Sequence, residues 1–75
     1  MTLAQGKKNT PYLIWGVFTE PNIERRLEAL GLNDNTMVTI LNAKRNGSMI
    51  IKVRGTRLAI GKQIASAIEI KEALQ

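Results

Sequence analysis

The side chains of this sequence whose types and spacing could do chemistry are three carboxylates at four-residue intervals and one group of cations. Glu24 and Glu28 stand at i, i+4, on one face of any helix that carries them, and Glu20 lies one turn earlier. Oxygen donors so spaced suit hard or borderline divalent metals. The plainer reading is a solvated helix face on which Arg25 partners Glu28 at i, i+3. No histidine or cysteine occurs in the 75 residues, so no imidazole or thiolate completes such a site and the plainer reading is preferred. Glu20, Glu24 and Glu28 are therefore the metal-ligand candidates, and no cofactor is expected. Ser48 and Ser66 have no base to activate them, so no catalytic residue is assigned and an enzyme is not expected.

The cations Lys44, Arg45, Lys52, Arg54, Arg57 and Lys62 fall in the second half of a chain with formal net charge +5 and a pI near 10.1. Such a balance favours an acidic partner. Small barrels bind RNA or single-stranded DNA on a basic face when stacking aromatics interleave the charges. Here Tyr12, Trp15 and Phe18 are the three aromatics, and all belong to one early segment. A nucleic-acid-binding barrel is thus an alternative reading, and a face for protein docking or solubility the preferred one.

The elements that position these residues can be read from period and punctuation. Tyr12 to Phe18, bounded by Pro11 and Thr19-Glu20-Pro21, reads as a first strand, with Gly16 hinting at a bulge or close approach and Trp15 at the core or its edge. Asn22 to Leu30 reads as a helix: Ile23, Leu27 and Leu30 form one stripe, Asn22 caps the start, and Gly31-Leu32 closes it in a Schellman-type turn. Strands follow at Thr36 to Leu41 and Met49 to Arg54, joined through Asn46-Gly47. A type II′ turn at Gly55-Thr56 leads to a strand from Arg57 to Ile60, and a turn around Gly61 to Ala65 to a last strand at Ile68 to Ile70. In this placement Lys52, Arg54 and Arg57 share an outer face. With nine isoleucines and three valines, the chain reads as mainly β: a single domain over residues 1–75, a small barrel of about five antiparallel strands, with one helix between strands one and two and a meander of four strands after it. Apolar runs are too short for a membrane span, and nothing resembles a secretory signal, so the cytoplasm is the expected compartment.

Three separated motifs then speak together. Ile23-Glu24-Arg25-Arg26-Leu27-Glu28-Ala29-Leu30-Gly31-Leu32, then Thr36-Met37-Val38, then Val53-Arg54-Gly55-Thr56-Arg57-Leu58-Ala59-Ile60 resemble the FeoA family of ferrous iron transport accessory proteins. Asp34-Asn35 stands where that family usually has Pro-Gly, and Thr56 where it has an aromatic. The resemblance implies an SH3-like barrel, related to the C-terminal domain of iron-dependent repressors. It also implies a cytoplasmic module, monomeric or weakly oligomeric, that binds the cytoplasmic side of the ferrous iron permease FeoB and modulates Fe(II) transport. A metal-sensing regulatory domain is a further alternative. The candidate partner-binding residues are Arg25 and Glu28 on the helix and Lys52, Arg54 and Arg57 on the hairpin.

Overall fold

The computed structural model describes residues 1–73; the expected domain span of 1–75 continues through Leu74 and Gln75, which lie outside the described residues. A single 3-10 turn, Leu3–Gln5, precedes β1 (Pro11–Val17), α1 (Pro21–Ala29), β2 (Met37–Ala43), β3 (Met49–Val53), β4 (Thr56–Ile60), α2 (Lys62–Ala67) and β5 (Ile68–Glu72). The architecture is mainly β with a helix between strands one and two, as the sequence implies. The five strands form one antiparallel sheet in the order β4-β3-β2-β1-β5.

That order corrects the expected four-strand meander. β2, β3 and β4 follow one another across the sheet, but β5 lies against β1, with Ile70 opposite Ile14 and Ile68 opposite Val17. The carrier is α2, a helix where the sequence suggested only a turn. Its six residues bury Ala65 and show too little apolar period to be legible. One core results: Tyr12, Ile14, Val38, Ile40, Ile51, Val53, Ile68 and Ile70 point inward from the strands, and Leu3, Leu27 and Leu32 close over them. Tyr12 keeps its hydroxyl satisfied inside by accepting a hydrogen bond from the Lys7 amide at 2.7 Å.

The helix starts one residue earlier than Asn22. Pro21 occupies its first position, where a missing N–H costs nothing and φ is already suitable, and Glu20 is the N-cap, with no side-chain capping bond. Its end is as expected: the amide of Leu32 donates to the carbonyl of Leu27 at 2.9 Å, that of Gly31 to Glu28 at 3.0 Å, and Gly31 holds φ +99°. The apolar stripe is only partly inward. Leu27 is buried and Ile23 half-buried, but Leu30 is 52% exposed, and Leu32 takes the core position beyond it.

Two further corrections concern turns and faces. Val53 pairs with Thr56, so the β3–β4 connection is Arg54-Gly55, both at positive φ (+53° and +80°). This is the type I′ geometry, whose twist matches the flanking strands, in place of a II′ turn one residue later. Arg54 therefore belongs to the turn and not to the strand. In β1 the register shifts between Ile14 and Gly16, leaving Trp15 at a bulge, 48% exposed rather than in the core. Trp15 meets Phe18 edge-on with ring centroids 5.6 Å apart. The Phe18 ring fills the space that a Cβ on Gly16 would enter at 2.6 Å.

Replacing Gly31 should test the helix terminus. A Cβ there meets Val53 and Arg54 at 3.4 Å on a left-handed backbone, so Gly31→Ala is expected to lower the unfolding free energy by roughly 1–2 kcal/mol in denaturant titration.

Candidate functional site

The helical period separates two flanks of α1. Ile23, Arg26, Leu27 and Leu30 recur at i, i+3, i+4 and i+7 and share one side, while Arg25 and Glu28 lie round the helix from it. The first flank faces β4 across an open groove of about 290 Å³, whose far wall is Leu58, Ala59, Ile60 and Ile64. Arg26 is the one charged side chain among the lining residues. The groove is where the exposed part of Leu30 goes: the apolar stripe of the helix overruns the core and stops in open space.

The hairpin charges stand outside this groove, none of them among its lining residues. Lys52 and Arg57 lie directly opposite each other on β3 and β4, both exposed. Because Val53 and Thr56 close the turn as the hydrogen-bonded pair, Lys52 and Arg57 form the adjacent non-bonded pair, with their backbones only about 4.5 Å apart. Like charges so placed repel. Arg54, displaced into the turn, lays its Cδ within 3.4 Å of where a Cβ on Gly31 would sit. There a cation faces the negative end of the α1 dipole. Lys52 and Arg57 thus share the expected outer face, while Arg54 bridges to the helix end near the groove. Lys62 packs its stem over Gly47 of the β2–β3 turn, away from this set.

Arg25 and Glu28 are exposed and stand outside the groove. Glu20 caps α1 through its backbone, accepting from the Glu24 amide at 2.8 Å, and Glu24 and Glu28 follow along the helix. Among the described residues no three carboxylates, histidines or cysteines are grouped to hold a metal ion. The exposed Trp15–Phe18 pair sits at the β1–β5 side of the sheet, with β2 between it and the basic hairpin. The groove was not legible from spacing. Its only sequence signal is a helix stripe one turn longer than the core accommodates.

A family model for the FeoA domain matches residues 1–72. Among solved structures, the FeoA protein from Chlorobium tepidum is 24% identical with a TM-score of 0.90, over 99% of this chain and 71% of that one. The FeoA of Stenotrophomonas maltophilia, solved in complex with zinc and described as a prokaryotic SH3 domain protein, is 25% identical with a TM-score of 0.81, over 95% and 89% of the two chains. A manganese-dependent transcriptional repressor shares the fold at 14% identity and a TM-score of 0.86, this chain covering 41% of it. No curated protein is similar enough to count as a match.

The opposed cations give a direct check on the hairpin geometry. Lys52→Glu places a carboxylate across from Arg57 and is expected to raise stability by roughly 0.2–1 kcal/mol in thermal or denaturant unfolding, an effect that shrinks in high salt.

Proposed function

The chain belongs to the FeoA domain family, and from that premise we propose that it is a non-enzymatic cytoplasmic accessory of ferrous iron uptake that binds the cytoplasmic part of the FeoB permease and modulates Fe(II) transport. The observation that carries the reading is the family match over residues 1–72. The Stenotrophomonas relative, itself put forward as a bacterial ferrous iron transport activating factor, points the same way.

The surface that suits a protein partner is the α1–β4 side. It combines an open apolar groove lined in part by Arg26 with Arg54 at the C-terminal end of α1 and Arg57 on the outer face of the edge strand β4. Apolar anchors surrounded by arginine are the composition of binding hot spots. The repulsion between Lys52 and Arg57 is a standing cost that an acidic partner relieves. The flank bearing Arg25 and Glu28 has no apolar centre and serves as the solvated side of the helix. The basic face lacks interleaved aromatics, which leaves the nucleic-acid alternative without stacking contacts.

Chemical-shift mapping with the cytoplasmic part of the permease is the test. Shifts are expected on Leu30, Arg54, Arg57 and Leu58, with affinity that falls as salt rises. Arg57→Glu is expected to weaken binding by roughly tenfold, about the loss of one charge-assisted contact, and Arg25→Glu to leave it unchanged. Absence of binding to both the cytoplasmic part and the full-length permease would sink the reading.

A further inference from the structure

We infer that β4 accepts an extended, acidic segment of the protein partner as an added sixth strand, whose alternate apolar side chains fill the groove against α1. This rests on the accessory reading above and specifies its binding mode. The sheet ends at β4 on one side and β5 on the other. The β5 edge is occupied: the Ile70 amide donates to the Met1 carbonyl at 2.8 Å, and Thr2 bridges to Glu69. The stretch of β2 that runs beyond β1 is likewise covered, with Lys8 bridged to Ile40 and the Asn9 amide donating to the Ile40 carbonyl at 2.7 Å.

β4 has no such cover. Its register places Thr56, Leu58 and Ile60 in the hydrogen-bonded pairs with β3, so the N–H and C=O groups of Arg57 and Ala59 point away from the sheet. Among the described residues nothing pairs with them. A bare edge of this kind is a template for another strand.

The groove lies along that edge. Leu58, Ala59 and Ile60 are consecutive and all three line it. Successive strand residues point to opposite faces, so a cavity lined by three in a row must run beside the main chain itself. A strand added about 4.8 Å from β4 would therefore enter the groove, with Leu58 on one side and Ile23 and Leu30 of α1 on the other.

Charge selects the occupant. A second copy pairing through β4 would bring Arg57, Arg54 and Lys52 against the same cations in a chain of net charge +5, so self-association along this edge is repelled. A segment alternating apolar and acidic residues meets the groove with one set and the arginines with the other.

The experiment uses the full chain, the cytoplasmic part of the permease, and short overlapping peptides covering that part. In the complex, the amides of Arg57 and Ala59 are expected to become protected from hydrogen exchange. Ala59→Pro removes only an outward N–H, which an edge strand tolerates. It is expected to keep the fold and lose roughly tenfold or more in affinity for the peptide that binds. Unchanged exchange at Arg57 and Ala59 in a formed complex overturns strand addition, whether or not Ala59→Pro folds. So does full affinity of a folded Ala59→Pro, or protection that appears only with self-association. Each of these leaves the accessory reading standing, whereas failure of the cytoplasmic part and the full-length permease to bind the unaltered chain overturns both.

Discussion

Ile14 faces Ile70 across the β1–β5 ladder, and both side chains are sealed from solvent. This pairing determines where the sheet ends. A domain of this size has one core, and each strand contributes a single inward row to it. By docking on β1 through Ile68 and Ile70, β5 completes that core on the β1 side and leaves β4 without a second neighbour. The edge strand, the groove beside it and the exposure of Leu30 all follow from that closure. α2 makes it possible by carrying the chain across the molecule, with Ala65 small enough to be buried against it.

The charges are organised by the same geometry. A type I′ turn takes Arg54 out of the strand, folds it over Gly31 at the end of α1, and sets Lys52 against Arg57. Left-handed backbone at Arg54 and repulsion between two opposed cations each cost stability. Sites that break local rules in this way are where function concentrates. Here they neighbour the apolar groove between α1 and β4. The carboxylates Glu20, Glu24 and Glu28, in contrast, follow an ordinary helix start and a solvated flank.

Much of the fold was legible. The strands, the helix between the first two, and the Schellman close at Gly31-Leu32 follow from period and punctuation that act over a few residues. Asn35 takes φ +67° where the family usually has glycine, within the tolerance of asparagine for that region. The misplacements have local causes too. Pro21 could stand before or within the first turn of the helix, and Arg54-Gly55 competes with Gly55-Thr56 as the centre of a hairpin. Trp15 is expected at the core or its edge because large aromatics usually bury their rings, but it has the opposite parity to the buried Tyr12 and Ile14 and so faces out, next to the register shift between Ile14 and Gly16.

Sequence alone determined the class of this protein: a small β barrel without imidazole or thiolate chemistry, basic in its second half, with three motifs in an order that marks its family. Composition and short-range pattern suffice for that because they bound what side chains can do and which segments can extend or coil. Tertiary structure alone decided which strand became the edge, which flank of the helix stayed uncovered, and which cations came to face one another. Those outcomes depend on contacts between residues far apart in the chain, chiefly β5 with β1, and no local pattern encodes which of two exposed strands a returning segment will choose.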